Sequence, residues 1–314
     1  MNRCLITYDD CSSGRYSRKG LNKLSSRLGR LKEFPLSAAE QRREALRRAD
    51  KISIQGVQPK LSARLSIADE GFELVDTGGR FILKPQHADY PELPENEDLS
   101  MRLAAAAGIE TPLHGLLHSA DSSLTYFIRR FDRKSQKDKL AVQDFATLAD
   151  RDRETKYRFS VERLFDLLEY CTFPAIETAE LFKRLLFNYL IGNEDMHLKN
   201  WALITADGKT TLAPAYDLLS TTIAFRAIDI PQTDIEESAL PLQGRKKKLT
   251  RSNWIDYLAG ERLQLSDQYI ERVLGELSDA LPSWRGLIDR SFLSEKQQAL
   301  YHEVLEHRSM ILLG

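Results

Sequence analysis

The stretch GNEDMHLKN, residues 192–200, lies between an apolar helical pattern and a predicted hairpin. Within it Asp195 and Asn200 are five positions apart, and a further acid, Asp217, follows the hairpin. Protein kinases place a proton-accepting Asp, a metal-binding Asn and a second metal-binding Asp in this order, because carboxylate and amide oxygens suit Mg²⁺ on nucleotide phosphates. The spacing predicts a phosphoryl-transfer loop. The alternative is a polar loop that holds several acids by chance.

A second set of candidate residues lies earlier in the chain. Lys84 ends the apolar run FIL, residues 81–83, and Glu97 follows early in a helical pattern. A strand lysine paired with a helix glutamate holds the nucleotide phosphates in kinases. Upstream, SIQGVQPK (53–60) is a glycine-bearing turn between predicted strands. Taken alone, the lysine is a common surface charge and the turn a simple hairpin, but the order of all these parts is more specific than any one of them.

Composition excludes several classes of protein. The 314 residues are 42% hydrophobic and 29% charged, which is enough apolar material for a buried core. The net charge of -1 argues against a dedicated nucleic-acid binder. Three cysteines, Cys4, Cys11 and Cys171, suit neither a disulfide framework nor a four-ligand zinc site. No apolar run approaches the roughly 20 residues that span a bilayer, so we expect a cytoplasmic protein without a membrane segment.

The order of the predicted elements indicates an α+β fold, because strands come first and helices later. The turn-like segment at 131–138 separates a strand-rich N-terminal lobe, residues 1–132, from a helical C-terminal lobe, residues 133–314. The first lobe contains the glycine-bearing turn and the strand lysine. The second contains the loop at 192–200 and its metal-ligand candidates.

Several elements have local signals of their own. Ser37 and Glu40 form a capping-box pattern before a helix predicted at 38–49. Two strands, 72–76 and 80–84, are predicted to form a hairpin through Gly78-Gly79. Further helices are predicted at 96–107 and 174–191, and Ser160, Ser252, Ser266 and Ser294 are predicted helix caps.

The combination of motifs resembles the HipA family of serine/threonine kinases, the toxin type of bacterial toxin–antitoxin systems. The matching stretches are GVQPKLSARL (56–65), FILKP (81–85), PENEDLSMRLAAAAGI (94–109), FIRRFDR (127–133), QDFATLAD (143–150), LFNYLIGNEDMHLKNWAL (186–203) and LAPAYDLLST (212–221). The resemblance implies a two-lobed, protein-kinase-like fold. It also implies ATP as substrate and Mg²⁺ as cofactor.

The resemblance assigns roles residue by residue. Asp195 matches the catalytic base, Asn200 and Asp217 match the Mg²⁺ ligands, and Lys84, with Glu97 as its partner, matches the ATP-binding lysine. The remaining nucleotide-binding positions are Gly56, Val57, Gln58 and Lys60 in the phosphate-covering loop, Arg129 and Phe131 as backbone donors and acceptors to adenine, and His197 beside the nucleotide. Many family members have Glu at the position of Arg129, a change that backbone contacts would survive.

Ser53 matches a serine that is autophosphorylated in the family. A phosphate there adds close to two negative charges, which would compete with the ATP phosphates. The alternative is an ordinary strand serine. In the short branch of the family a second serine can stand where this chain has Gln55, so a single phosphosite is expected.

The length before the phosphate loop resembles that short branch, called HipT, because longer members have about a hundred further residues there. The resemblance implies two partners: a small HipS-like protein that resembles the missing domain, and a HipB-like antitoxin that binds DNA in place of this chain. It further implies an aminoacyl-tRNA synthetase as the phosphorylated target, with tryptophanyl-tRNA synthetase as the first candidate. Nothing in the sequence itself identifies that target.

Two rival functions and one basic run stay open. A metallophosphoesterase would use the D-x-H of Asp195 and His197, but it needs more histidine ligands than the sequence offers in a G-H-x-H pattern. An inactive nucleotide-binding regulatory module is the other rival. The basic run 245–248 is either a solvated loop or a docking site for an acidic or RNA-bound substrate.

Overall fold

The computed structural model describes residues 2–11, 14–48, 58–135 and 138–314. These residues form two compact units that interleave along the chain. The first unit comprises 1–98, 112–139 and 290–292, and the second comprises 99–111, 140–289 and 293–314. The predicted division into two lobes, residues 1–132 and 133–314, stays a prediction.

The first unit is built on a five-stranded antiparallel sheet in the order β4-β3-β5-β7-β6. Its elements are β1 (Asn2–Arg3), β2 (Asp10–Cys11), α1 (Arg18–Leu24), α2 (Ala38–Arg48), β3 (Leu61–Ser66), β4 (Gly71–Leu74), β5 (Phe81–Lys84), the start of α3 (Leu93–Ala106), β6 (His114–His118) and β7 (Leu124–Arg129). Three aromatic rings on this sheet, Phe72, Phe81 and Phe127, pack with centroids 5.0 to 6.2 Å apart. Their burial is the apolar contact that holds the sheet against α1 and its flanking segments.

The predicted hairpin between residues 72–76 and 80–84 is wrong. Strand β3 lies between β4 and β5 and pairs with both of them. The connecting chain passes over β3 so closely that a Cβ on Gly79 would stand 2.0 Å from the Ser62 Oγ and 3.2 Å from the Ala63 backbone. Glycine is therefore required for a close crossing of two backbones, and not for the tight turn that the pattern suggested.

The second unit is mostly helical and contains a small antiparallel sheet in the order β10-β9-β8. Its elements are the remainder of α3, β8 (Ala141–Asp144), α4 (Phe145–Leu148), α5 (Val161–Leu164), a 3₁₀ helix (Phe165–Tyr170), α6 (Pro174–Ile191), a 3₁₀ turn (Leu198–Asn200), β9 (Ala202–Ala206), β10 (Lys209–Leu212), α7 (Thr221–Ala227), a π-helix (Asn253–Arg262), α8 (Asp267–Asp289) and α9 (Glu295–Leu312). Helix α6 is its centre, and α9 packs along it. Trp284 of α8 contacts Phe187 of α6 edge to face and donates to the Leu103 carbonyl at 2.8 Å.

The helix signals were confirmed unevenly. Helix α6 has the predicted bounds, and the capping box forms, since the backbone N–H of Ser37 donates to Glu40 at 2.8 Å. Ser294 caps α9, but Ser160 and Ser252 make no capping hydrogen bond. Ser252 has helical backbone angles, which place its hydroxyl away from the free N–H groups of the first turn. Within the described residues, no helix is both long and apolar enough to cross a bilayer.

Candidate active site residues in the two units

In the first unit, Lys84 and Glu97 form a buried ion pair. The Lys84 Nζ donates to the Glu97 Oε1 at 2.6 Å, and the two side chains are 7% and 0% exposed. The ammonium also lies 5.7 Å from the centre of the Tyr126 ring, on the strand that pairs with β5. Burial of both charges demands good pairing geometry, because an isolated charge in such a place is very costly. The pairing predicted from the sequence is therefore present.

Two other acids at the start of α3 have partners of their own. Asp98 contacts the His114 Nδ1 at 2.7 Å, and Glu95 accepts from the Gln86 Nε2 at 2.8 Å. Burial raises the pKa of Glu95 to about 7. Because consecutive helix positions point about 100° apart, these acids face different neighbours, and Glu97 is the one that faces Lys84.

The predicted adenine and phosphate-loop positions stay predictions. The backbone N–H of Arg129 donates to the Leu113 carbonyl at 2.7 Å. Lys60 lines a cleft of the first unit with Ser62, Ile82 and Arg130. The roles of Phe131 and Gln58 stay predictions. Ser53, Gly56 and Val57 lie outside the described residues.

In the second unit, the candidate loop begins where α6 ends. Gly192 has φ +72°, and a Cβ there would stand 2.7 Å from the Thr222 Oγ1 and 2.9 Å from the Val304 Cγ1. Its carbonyl accepts hydrogen bonds from the backbone N–H and hydroxyl of Thr222 and from the hydroxyl of Thr221. The left-handed conformation and the close packing both favour glycine. The chain therefore enters the loop in a fixed direction.

Neutral hydrogen bonds then fix the backbone around Asp195. Its N–H donates to the Asn193 Oδ1 at 3.1 Å, and its carbonyl accepts from the Asn200 Nδ2 at 2.8 Å. The preceding N–H, that of Glu194, donates to the Thr221 hydroxyl at 2.8 Å. These bonds hold the backbone, while the Asp195 side chain stays 44% exposed. The carboxylate is therefore partly open to solvent.

The metal-ligand roles of Asn200 and Asp217 stay predictions, and the structure shows how each residue is held. The Asn200 Nδ2 is occupied by the Asp195 carbonyl, which turns its amide oxygen to the other side. Asp217 has φ +54°, a left-handed conformation that aspartate adopts more readily than most non-glycine residues. Tyr216 precedes it and donates to the Lys199 carbonyl at 3.0 Å, which links the segment after β10 to the loop.

His197 is buried beside the exposed carboxylate. Its Nε2 lies 3.9 Å from the Asp195 Oδ1 and 2.6 Å from the Lys156 Nζ, and its Nδ1 accepts from the Lys199 backbone N–H at 3.3 Å. Burial lowers the pKa of His197, and the neighbouring Lys156 acts in the same direction. His197 therefore braces the loop through an accepted hydrogen bond.

The sequence did not point to Lys156 or Tyr157, although both contact the loop. The Tyr157 hydroxyl donates to the Asp195 Oδ1, and its ring meets the His197 imidazole edge to face with centroids 5.0 Å apart. The signal was a single aromatic residue inside the charged run RDRETKYR, residues 151–158. Such a residue is normally a surface side chain, so its contact needed the fold to be known.

Glu194 and the basic run lie close to these residues. Burial, together with Glu236, raises the pKa of Glu194 to about 7. Lys246 donates to Glu236 at 3.1 Å, and its ammonium lies 5.8 Å from the centre of the Tyr157 ring. Lys247 donates to the Thr233 carbonyl at 2.7 Å. The basic run therefore borders the residues around Asp195, which keeps the docking interpretation open beside the solvated-loop one.

The metallophosphoesterase alternative needs a converging set of metal ligands. Across 2–11, 14–48, 58–135 and 138–314, no group of three or more His, Cys, Asp or Glu side chains is arranged to hold a metal ion. A D-x-H without further ligands does not make the two-metal site of such enzymes.

Comparison with known proteins identifies similar chains. Residues 52–285 match the family model described as the HipA-like C-terminal domain. A Haemophilus influenzae protein named "Putative kinase" is 32% identical over 268 residues, which cover 79% of this chain and 75% of the relative. The serine/threonine-protein kinase toxin HipA of Shewanella oneidensis is 26% identical over 191 residues, 54% of this chain and 43% of the toxin.

A solved structure of Shewanella oneidensis HipA, in complex with HipB and its operator DNA, superposes with a TM-score of 0.64. The match has 21% identity and covers 91% of this chain and 72% of the other. It shows a shared fold, and with the mixed helices and strands described above it confirms the predicted α+β, HipA-like architecture.

Proposed function

This chain belongs to the family of HipA-like C-terminal domains, and from that premise we propose that it is an ATP-dependent serine/threonine protein kinase. One observation carries the proposal: Asp195 is an exposed carboxylate on a backbone that Asn193 and Asn200 hold in place. That is what a base for a phosphoryl acceptor needs, since positioning and electrostatics supply most of the catalysis in phosphoryl transfer.

In the proposed reaction, Asp195 accepts a hydrogen bond from the acceptor hydroxyl and takes its proton as the oxygen attacks the γ-phosphorus of ATP. The bond from that phosphorus to the bridging oxygen breaks, and ADP leaves. The loop hydrogen bonds hold the backbone that carries the carboxylate, which lowers the entropy cost of the reaction. His197 lies beside Asp195 and accepts from the Lys199 backbone N–H, which supports the loop.

The residues present fit Mg²⁺. The Asn200 amide oxygen and the Asp217 carboxylate are the ligands we propose, and both are the hard oxygen donors that this ion prefers. Two protein ligands suffice because Mg²⁺ in such sites is also held by phosphates and water. When bound, the ion neutralises negative charge on the transferring phosphoryl group.

Lys84 is proposed to bind the ATP phosphates. Its pairing with Glu97 orients the ammonium and limits its rotation, although the side chain is nearly buried. A cation held in this way stabilises phosphate charge without having to change its position during the reaction.

The test is ADP release from Mg-ATP by the wild-type protein and by Asp195→Asn. Asp166→Asn is the matched control, because Asp166 is an exposed acid on the 3₁₀ helix of the same unit. We expect Asp195→Asn to reduce turnover by roughly 10²–10⁴-fold and Asp166→Asn to leave it unchanged. Equal turnover in wild type and Asp195→Asn would refute the assignment, and ATP binding without turnover in wild type would favour the regulatory-module alternative.

The finer proposals concern target, autophosphorylation and partners. We propose a serine of an aminoacyl-tRNA synthetase as the target, first of all tryptophanyl-tRNA synthetase, and Ser53 as the autophosphorylation site. The named complex of Shewanella oneidensis HipA with HipB supports a HipB-like antitoxin as partner, and a HipS-like protein is the second partner proposed. Phosphoproteomics after induction, with the Asp195→Asn variant as control, tests target and Ser53 together. Copurification from the native operon tests the partners.

A further inference from the structure

Tyr157 occupies the position that an acceptor must take. Its hydroxyl donates to the Asp195 Oδ1, the atom that also lies 3.9 Å from the His197 Nε2. The residue is 39% exposed, and its hydroxyl is bound to the carboxylate. In the proposed reaction the acceptor hydroxyl donates to this same carboxylate.

Three further contacts hold the tyrosine there. The ring meets the His197 imidazole edge to face, and the ammonium groups of Lys156 and Lys246 lie 4.9 and 5.8 Å from its centre. Cations near an aromatic face add attraction at a partly exposed site. The Lys156 carbonyl also accepts from the Leu198 backbone N–H at 3.4 Å, which ties the segment to the loop.

The hydroxyl acts as a donor throughout the physiological pH range. Burial raises the pKa of Tyr157, and the negative charge of Asp195 acts in the same direction. A tyrosine in this state offers a proton to the carboxylate, as a serine or threonine of a substrate would. The contact therefore imitates the neutral acceptor and not the attacking oxyanion.

We propose that Tyr157, carried by the segment 151–158, is an internal competitor of the phosphoryl acceptor and must leave Asp195 before a substrate hydroxyl can bind. The inference rests on the proposed kinase function and adds a regulatory contact to its site. The segment is suited to move because residues 151–154 are exposed and Asp152 caps a local turn with Thr155, a turn that can be displaced intact.

The experiment uses Tyr157→Phe, which keeps the ring and removes the hydrogen bond. ADP release from Mg-ATP is measured with water as acceptor: the water oxygen bonds to the γ-phosphorus, the bridging bond breaks and the proton goes to Asp195. A hydrogen bond to a charged group is worth about tenfold or more in an equilibrium, so we expect release to rise roughly three- to thirtyfold. Tyr157→Ala should raise it at least as much.

Tyr170→Phe is the matched control, because Tyr170 is 53% exposed in the same unit, and it should leave ADP release unchanged. Unchanged or slower release in Tyr157→Phe would overturn the proposal, since a positioning residue gives a loss. Phosphate on Tyr157 in the wild-type protein, found by peptide mass spectrometry, would overturn it too, because Tyr157 would then be a substrate.

A second measurement separates this proposal from the kinase proposal. Trypsin can cleave after Lys156, whose carbonyl accepts from the Leu198 backbone N–H, so cleavage there requires the segment to leave the loop. We expect several-fold faster cleavage in both Tyr157→Phe and Asp195→Ala than in wild type and Tyr170→Phe. Faster cleavage with no ADP release in any variant would refute the kinase function while confirming the contact, and equal cleavage in all variants would refute the contact itself.

Discussion

Breaking the Lys84–Glu97 pair should affect stability and turnover in ways that can be separated. At 2.6 Å and an effective dielectric constant of about 20, the attraction is about 6 kcal/mol, which the cost of removing both charges from water largely offsets. Removing one partner of such a buried pair is strongly destabilising and costs about 3–5 kcal/mol. We therefore expect Lys84→Met and Glu97→Gln each to lower the free energy of unfolding by an amount in or near that range.

The double variant Lys84→Met/Glu97→Met replaces both charges by apolar side chains of similar volume. Such replacements are often neutral or stabilising, so we expect it to lose less than about 2 kcal/mol. Turnover should be lost in Lys84→Met, in Glu97→Gln and in the double variant. In each of them the proposed phosphate-binding cation is missing or misplaced. Urea unfolding followed by circular dichroism gives the stability, with the slope checked for each variant, and ADP release gives the turnover.

The control is Lys183→Met. Lys183 and Glu276 are also 2.6 Å apart, but Glu276 is 45% exposed, so solvent screens the pair and the expected loss is about 1 kcal/mol, without loss of turnover. Two results would refute the reasoning. A double variant that keeps turnover within tenfold of wild type would show that Lys84 does not bind the phosphates, and a Lys84→Met variant as stable as Lys183→Met would show that the pair is not buried.

Three further predictions follow from the second unit. Because the pKa of Glu194 is raised to about 7, the folded state keeps a proton that the unfolded state releases near pH 4.5, and stability falls as pH rises through this window. Glu194→Gln should therefore raise the free energy of unfolding by roughly 1–2 kcal/mol at pH 8 and by little at pH 5, after allowance for partial exposure. Urea unfolding at both pH values measures this difference. At Gly192 the backbone is left-handed and a Cβ would contact Thr222 and Val304, so Gly192→Ala should lower the free energy of unfolding by roughly 2–4 kcal/mol. The control Gly208→Ala, at φ +75° with nothing within 4 Å, should lower it by about 1 kcal/mol. Equal losses in the two variants would refute the packing argument. Asp217→Asn tolerates the left-handed conformation and should keep thermal stability while it raises the Mg²⁺ concentration needed for half-maximal ADP release.

The sequence predicted helices and motifs that depend on local pattern. It did not predict strand order or contacts between residues far apart in the sequence. Helix α6 and its end at Gly192 were predictable because an apolar face and a C-terminal glycine are local signals. The place of β3 between β4 and β5 was not, because strand order depends on long-range pairing that a two-glycine turn does not record. In the same way, Asp195 was visible in its motif, whereas Tyr157 reaches it from 38 positions away.

A buried ion pair holds one set of candidate residues, and backbone hydrogen bonds hold the other. This difference predicts how each set tolerates substitution. Lys84 and Glu97 hold their positions through charge in a buried environment, so their proposed role and the stability of their unit depend on the same contact. Asp195 is held through its backbone by neutral side chains, and its carboxylate supports no buried structure. An isosteric change at Asp195 should therefore remove activity at little cost in stability, because exposed side chains contribute little to folding. Such a loop can present a negative charge to an acceptor while the fold does not depend on that charge.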